Sequence, residues 1–255
     1  MKSSAYFAQI SQTVRFQNES YCQAKSKSTS RPLLVITEIA LAVVLMIGAA
    51  LLIRTFIEIR KVNPGFEARN VLTMRMLPTG PRFEDEGEAA RVINDGIRRI
   101  RALPGVEVAG VGCCLPLEDR FYLRFQVAGA PASEGAAGFS QVSAGYFETF
   151  KIPVLRGRTF TERDGNGPPV AMINQTLARQ FWPNDDPLDG QIIVGNEPRQ
   201  VVGVVGDVRD NALNRDPRPI VYLVLSHSSG SIAATPWAWV IRTREAPLSL
   251  TSAIQ

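Results

Sequence analysis

An uninterrupted apolar run constrains this chain more than any other feature of its sequence. Residues 33–53 are twenty-one in number and carry one charged side chain, Glu38. A helix of that length rises about 31 Å, which matches the hydrocarbon core of a bilayer. The run is apolar on all faces, whereas the core helix of a soluble protein keeps a polar side. The sequence therefore predicts a transmembrane helix over residues 32–56.

The flanks of the run bear on its processing and orientation. No small-residue cleavage pattern follows it before Arg54, which argues against a removed signal peptide. Four Lys/Arg residues lie within about twenty residues on each side, so the positive-inside rule does not choose an orientation. A long folded domain crosses the membrane largely regardless of its charge, which favours residues 62–255 outside the cytoplasm.

Basic residues concentrate around the run. Residues 1–61 hold eight Lys/Arg against three Glu, whereas residues 62–255 hold twenty Lys/Arg against twenty-one Asp/Glu. This distribution indicates contact with anionic lipid headgroups. A nucleic-acid partner is not predicted, because the large domain has no basic excess.

Within the span we single out Leu33, Glu38, Gly48 and Ile53. An ionisable residue inside a membrane helix indicates a functional site, although Glu38 near the interface would simply reach headgroups or water. Gly48, with Ala49 and Ala50, forms a small-residue patch that permits close approach of another helix. The patch has no GxxxG spacing.

The residues after the span alternate in character as a strand, a helix and a second strand do. VLTMRMLP has the period of two of a strand, and EDEGEAARVINDGIRRIRALPG has the spacing and charge distribution of an amphipathic helix. Pro104 and Gly105 end that helix, and VEVAGVGCC reads as the next strand. The pattern predicts a βαβ or split βαβ unit.

From Leu117 onward short β-like runs alternate with turns. One helix, INQTLARQFWP, is predicted with Asn174 as its N-cap and Pro183 at its end. PWAWVIRTR reads as a late strand, and PLSLTSAIQ as the first turns of another helix. Together these segments predict an α+β fold, in which one N-terminal membrane helix precedes an extracytoplasmic domain of two parts.

The predicted division of the chain is as follows. Residues 1–31 form a short, disordered cytoplasmic tail, and residues 62–255 form the extracytoplasmic domain. Within it, residues 71–116 and 236–255 make a split α/β subdomain, which residues 117–235 interrupt as a mixed, mostly β subdomain. Since a second helix and a closing strand would be needed to cover the first part, we expect the sequence to be a fragment of a longer protein.

Catalytic patterns are missing from the sequence. It contains no Walker A, GxGxxG, HExxH or GxSxG motif, and its one histidine is His227. The cysteines, Cys22, Cys113 and Cys114, show no zinc spacing, and a bridge between the adjacent pair would be strained. The segment with Asp207, Asp210 and Asp216 reads as an Asp/Arg-laced surface loop rather than a Ca²⁺ site. We therefore predict no enzyme activity, no cofactor and no metal.

Several stretches resemble a known family. RPLLVITEIALAVVLMIGAALLIRTF, followed by VNPGFEARNVLTMRM, is similar to the start of a MacB/FtsX-like ABC transporter permease unit. VSAGYFETFKIPVLRGRTFTERD, VAMINQTLARQFWPNDDPLDGQI and VVGVVGDVRDNALNRDPRPIVYL resemble its extracytoplasmic core domain. The likeness covers roughly residues 31–250 and is greatest to the duplicated orphan permeases. The first thirty residues match nothing in the family.

The resemblance implies a location and a set of partners. The domain would lie in the periplasm, three further membrane helices would follow, and a separate ABC ATPase subunit would bind ATP. A second permease unit would share the pathway, and nucleotide-driven motion would expel substrate from the periplasmic side. The candidate motif positions are Gly145, Tyr146, Phe147, Arg156, Gly157, Asn174, Phe181, Trp182, Pro183 and Asp207.

Two interpretations remain open from the sequence. The first is a permease subunit, or part of one, for export or efflux, with no catalysis of its own. The second is a single-span sensor or ligand-binding module with an extracytoplasmic domain. Three downstream hydrophobic spans or an adjacent ATPase favour the first, and a histidine-kinase or methyl-accepting region favours the second.

The membrane assignment makes a direct prediction. We expect alkaline carbonate to leave the chain in the membrane fraction, because residues 33–53 are embedded in lipid. Protease added to spheroplasts is expected to digest residues 62–255. Release by carbonate, or a domain that external protease spares, would contradict the assignment.

Overall fold

The chain forms two compact units, Met1–Lys61 and Val62–Gln255. The computed structural model describes residues 30–77, 86–210, 212–213, 215–225, 236–245 and 247. The predicted tail up to residue 29, His227 and all but one residue of the predicted C-terminal helix lie outside the described residues. We call the second unit the head.

Helix α1, Ser30–Lys61, contains the predicted span and continues five residues past its predicted end at residue 56. Its apolar side chains are exposed, with Leu33 at 64% and Ile53 at 61%. Such exposure fits a helix surrounded by lipid. The last turn ends in Arg60 and Lys61, and the Lys61 Nζ atom lies 2.9 Å from a carboxylate oxygen of Glu58. Basic residues at this end suit both the helix dipole and anionic headgroups.

The head contains a split βαβ unit, as the sequence predicts. Strand β1 is Val71–Met76, helix α2 is Glu86–Arg101 and strand β2 is Val106–Gly112. Strand β10, Trp237–Thr243, lies between β1 and β2 and pairs antiparallel with both. The two strands joined by α2 are therefore parallel and separated by one strand from much later in the chain.

Helix α2 packs its predicted apolar stripe on this sheet. Ile93, Ile97 and Ile100 are buried against Trp237 and Trp239 of β10. A Cβ atom at Gly96 would collide with the Trp239 ring, so glycine permits the close approach of helix and sheet. The fully buried strand β10 is thus the centre of this part of the head.

Six further strands close into a ring. In order of pairing they are β4 (Ala130–Val142), β3 (Phe121–Val127), β7 (Gln191–Val194), β8 (Glu197–Val205), β6 (Val170–Asn174) and β9 (Ile220–Val224), and β9 pairs again with β4. Strand β5, Val154–Gly157, adds to β8 from outside the ring. The pairs β4–β9 and β6–β8 are parallel and the other pairs of the ring are antiparallel.

Strands β6 and β9 are buried on both faces. Ala171, Ile173, Val221 and Leu223 belong to the apolar cluster that all six ring strands share. The alternate residues of the same strands, among them Met172 and Tyr222, belong to a second cluster with the aromatic residues of helix α3, Tyr146–Phe150. Since successive side chains of a strand point to opposite faces, two strands serve two cores.

The α+β fold class is confirmed. The split unit and the ring meet at one pair, Gly112 of β2 with Val142 of β4, and Val240 of β10 joins the second cluster. Strands β6 and β7 are not among the predicted strands, since β6 runs directly into a helix and β7 has four residues. The division of the head into two subdomains stays a prediction, because the described contacts form one unit.

Asn174 fixes the turn from β6 into helix α4, Gln175–Phe181, and its predicted role as N-cap is confirmed. Its side chain is fully buried and makes four hydrogen bonds, which is the capacity of an amide. The Oδ1 atom accepts from the backbone N–H of Leu177 at 3.1 Å and of Ile220 at 2.9 Å. The Nδ2 atom donates to Asp207 at 2.7 Å and to the Arg218 carbonyl at 2.8 Å.

Replacement of the Asn174 side chain tests how much it contributes to the stability of the head. We expect Asn174→Ala to lower the free energy of unfolding by about 2–4 kcal/mol, because it removes a helix cap and leaves buried groups without partners. Urea titration monitored by tryptophan fluorescence reports on the head, since the three tryptophans are Trp182, Trp237 and Trp239. The exposed Asn166 gives a matched control, Asn166→Ala, with little expected loss. Equal losses in the two variants would contradict this assignment.

Candidate functional site

Residues 62–70 connect the end of α1 to β1, and we call them the stem. The turn at Pro64 and Gly65 lies against residues 207–209. Gly65 has φ +85°, and a Cβ atom there would collide with the Asp207 carbonyl oxygen. The Arg209 N–H donates to the Pro64 carbonyl at 3.0 Å. The stem is therefore bound to the rest of the head from its first turn onward.

Arg242 makes the strongest connection between the stem and the head. Its side chain is 3% exposed. The Nε atom donates to the Thr149 carbonyl in α3 at 2.7 Å. The two terminal nitrogens donate to the stem carbonyls of Arg69 at 2.9 Å and Glu67 at 2.8 Å. One guanidinium thus joins three backbone segments.

The position of Arg242 in its strand explains how the guanidinium reaches the stem. Arg242 is the last residue but one of β10, and the register between β10 and β2 shifts between Arg242 and Thr243. Such irregularities bend a strand and re-aim its side chains. On the other edge of β10, Arg242 is paired with Val71, the first residue of β1.

Glu67 completes the contact with charge. One of its carboxylate oxygens lies 3.0 Å from Lys151 Nζ, and the other lies 3.4 Å from Arg242. The hydrogen bond from Lys151, and then the nearby positive charges of Lys151 and Arg242, lower the pKa of Glu67. Its backbone N–H donates to the Phe150 carbonyl at 2.8 Å. We call Glu67, Lys151 and Arg242 the stem clamp.

Aromatic packing supports the same place. The rings of Phe66 in the stem and Phe150 in α3 meet edge to face with centroids 5.9 Å apart. Phe150 in turn contacts Tyr146 at 5.2 Å between centroids. Helix α3 and the residue after it thus hold the stem through an aromatic contact, a backbone hydrogen bond and an ion pair.

Three of the sequence-predicted positions lie in α3 and at its start. Gly145 precedes the helix with φ +92°, and a Cβ atom there would collide with the Ala109 carbonyl oxygen. Tyr146 and Phe147 are buried in the second apolar cluster, and the Tyr146 hydroxyl donates to the Cys114 carbonyl at 2.7 Å. These residues build the helix that receives the stem.

Other predicted positions meet around an open groove of about 290 Å³. Arg156, Trp182 and Pro183 line it, and Arg156 forms an exposed ion pair with Asp186. Phe181 packs edge to face on Phe125 at 4.9 Å. Gly157 has φ +72° where β5 runs against β8. Nothing in the geometry of these residues assigns them a ligand.

The prediction of a surface loop around Asp207 and Asp210 is wrong in part. Both oxygens of Asp207 accept hydrogen bonds from Thr176, and one also accepts from Asn174. Asp210 is buried, and one of its oxygens lies 3.3 Å from the Tyr122 hydroxyl. Asp207 is half-buried and Asp210 is buried, so both act as hydrogen-bonding groups within the head rather than as free surface charges. Among the described residues, no group of three or more His, Cys, Asp or Glu is placed to hold a metal ion.

The predicted span positions all lie in α1. Leu33, Glu38 and Ile53 are exposed on α1, and a Cβ atom added at Gly48 would meet nothing within 4 Å in the described structure. Their roles in lipid contact and helix packing remain predictions.

The sequence reasoning missed Glu67, Lys151 and Arg242. One signal was present, because Arg242 interrupts a strand whose other residues are apolar or small. A charge in an otherwise apolar strand indicates a buried, paired side chain. Its partners are backbone carbonyls, which no sequence pattern specifies.

Comparison with known proteins adds a family relationship. A family model described as MacB-like periplasmic core domain matches residues 33–245. Macrolide export ATP-binding/permease proteins MacB of Escherichia coli and Shigella flexneri are 29% identical over 111 residues, which cover 43% of this chain and 17% of theirs. The match therefore spans a small part of those longer relatives.

Two solved structures align with most of this chain. The periplasmic region of MacB from Actinobacillus actinomycetemcomitans aligns with a TM-score of 0.50 and 16% identity, over 77% of this chain and 86% of that one. The extracellular domain of the ABC-type transporter YknZ from Gram-positive bacteria aligns with a TM-score of 0.46 and 16% identity, over 72% and 88%. The first alignment shows a shared fold.

Removal of the Arg242 side chain tests the stem clamp. We expect Arg242→Met to lower the free energy of unfolding by about 3–5 kcal/mol, because three carbonyls lose a charged donor. Arg242→Lys should lose nearly as much, since one ammonium nitrogen cannot take the positions of the three guanidinium nitrogens that reach α3 and the stem. Urea titration with tryptophan fluorescence measures both. Arg99→Met removes an exposed ion pair with Asp95 and serves as the control, with an expected change below about 0.5 kcal/mol. A loss of that small size for Arg242→Met would contradict the role of the clamp.

Proposed function

Because the chain belongs to the family of MacB-like periplasmic core domains, we propose that it carries ATPase-driven motion into the periplasm as part of an ABC-type export permease. The chain is an inner-membrane protein with α1 in the membrane and its bulk in the periplasm. The observation that carries the proposal is the stem clamp, through which the segment following α1 is bound to the interior of the head.

The route of the motion follows from the contacts. A displacement of the end of α1 reaches the stem within one residue, since α1 ends at Lys61 and the stem begins at residue 62. The stem passes it to α3 through Phe150 and Lys151, and to β10 through Arg242. Both elements contribute side chains to the second apolar cluster. A displacement of the stem would therefore move the packed core of the head and not one loop alone.

ATP hydrolysis would be carried out by a partner protein. ATP would be bound and hydrolysed by a separate ABC ATPase subunit, and a second permease unit would form the other wall of the pathway. The MacB relatives support an association with an ABC ATPase, because those proteins are ATP-binding/permease proteins. The head itself would perform no catalysis, and substrate would leave from its periplasmic side.

Coupling to an ATPase provides the test. We expect the chain, expressed with the ABC ATPases of its own genome, to co-purify with one of them in detergent. The ATP hydrolysis rate of that complex in nanodiscs should differ at least twofold from the rate of the ATPase alone. An intact membrane-inserted chain that binds none of these ATPases would contradict the permease function.

Variants of the stem clamp separate binding from transmission. The double variant Glu67→Gln with Lys151→Met removes both ion pairs of Glu67 but leaves the backbone contacts of the stem. We expect it to bind the ATPase normally and to lose most of the change in ATP hydrolysis rate. The control Arg99→Met, which breaks an exposed pair on α2, should keep that change. Full coupling in the double variant would contradict transmission through the clamp.

A further inference from the structure

Two adjacent cysteines lie where the split unit meets the ring. Cys113 and Cys114 follow β2 directly, and their sulfur atoms are 3.1 Å apart. Their sequence predicts only small apolar residues at a strand end. In the structure the two side chains differ, because Cys113 is partly exposed and Cys114 is 5% exposed.

Polar groups of β4 face the Cys113 sulfur. The backbone N–H of Gln141 lies 3.2 Å from Sγ and donates to it, and the Ser140 hydroxyl lies 3.9 Å away. The backbone N–H of Cys113 donates to the Gln141 carbonyl at 2.9 Å. Cys114 is fixed from the other side, since its carbonyl accepts from the Tyr146 hydroxyl at 2.7 Å. The thiol of Cys113 is therefore held among hydrogen-bond donors.

A buried positive charge lies in the same place. Arg120 is 6% exposed and lies over the Tyr222 ring, with 5.7 Å from Cζ to the ring centroid. Its Nε and Nη1 atoms have no hydrogen-bond partner in the described part of the chain. Glu118, two residues before Arg120, is engaged by the Leu115 N–H at 2.9 Å and by Arg75. Within the residues that the structure describes, Arg120 forms no ion pair with a carboxylate.

These groups favour one thiolate of the pair. The hydrogen bond from Cys114, the donors Gln141 and Ser140 and the charge of Arg120 lower the pKa of Cys113 to about 6 although burial opposes them. The same hydrogen bond and burial raise the pKa of Cys114. The arrangement therefore favours the thiolate form at Cys113, with the Cys114 thiol beside it as a hydrogen-bond donor.

We propose that Cys113 is a thiol-modification site that takes small disulfides, with Cys114 as its hydrogen-bond donor and positioning residue. The Cys113 thiolate attacks one sulfur of the disulfide and forms a new S–S bond. The original S–S bond breaks, and the second half leaves as a thiolate that takes a proton from water. The disulfide is the oxidant, and the periplasm is a compartment where disulfides persist.

The mixed disulfide is the end point of this reaction. Neighbouring Cα atoms lie about 3.8 Å apart, which is shorter than the 4.4–6.8 Å of ordinary disulfides. A bond between Cys113 and Cys114 is therefore strained, and the adduct stays on Cys113. There it takes the place of the thiolate as acceptor for the Gln141 N–H of β4, close to the single pair between β2 and β4.

The test uses the full chain in detergent with Cys22→Ser, so that the two adjacent cysteines are the remaining thiols. With excess hydroxyethyl disulfide at pH 7 we expect one mercaptoethanol adduct by intact mass, located on Cys113 by peptide mapping. The iodoacetamide reaction rate of Cys113 should be half-maximal near pH 6, against about 8.5 for an ordinary cysteine. Cys113→Ser should abolish the adduct.

Variants at Cys114 separate the positioning role from simple packing. Cys114→Ala removes the donor and should move the half-maximal pH upward by at least one unit. Cys114→Ser keeps a donor and should move it less. Modification that requires urea, a half-maximal pH of 8.5 or above, a mass loss of two hydrogens without an adduct, or equal shifts in the two Cys114 variants would overturn the proposal.

Discussion

The buried guanidinium of Arg242 is the constraint on which the first residues of the head depend. Buried charge is costly unless every donor finds a partner, and here the partners are carbonyls of the stem and of α3. This requirement fixes where the stem runs, and the stem fixes where β1 begins. Strand β1 then pairs with β10, which carries Arg242 itself. The contacts at the start of the head thus depend on one another. Arg242 positions the stem, the stem positions β1, and β1 pairs with the strand that carries Arg242.

The two apolar clusters share strands β6 and β9, which links the ring to the part of the head that holds the stem. Strands β6 and β9 give one set of side chains to the interior of the ring and the alternate set to the cluster that contains α3. Packed interiors transmit strain. A displacement of α3 therefore reaches the ring through the two shared strands. Asn174 adds a polar link of the same kind, because it joins α4, the Arg218 carbonyl and β9. This arrangement suits a domain proposed to move as one body.

The sequence predicts the elements of this fold better than their arrangement. Period and capping identify α1, α2, α4 and most strands, since these signals are local. The closed ring depends on pairings such as β4 with β9, which join residues about eighty positions apart and leave no local trace. The stem clamp escapes prediction for a similar reason, because Arg242 binds carbonyl oxygens that every residue possesses. The sequence around Asp210 suggests a surface loop, because the segments that bury this residue are distant in the chain.

The position of β10 has a consequence for how the protein is made. This strand lies between β1 and β2 but is synthesised more than a hundred residues after β2. Until it crosses the membrane, β1 and β2 present open edges, and such long-range pairing is slow to form. The guanidinium that secures the stem arrives with the same strand. An incompletely exported chain consequently has a loose stem, so firm attachment of the head is gained only when translocation has delivered this late strand.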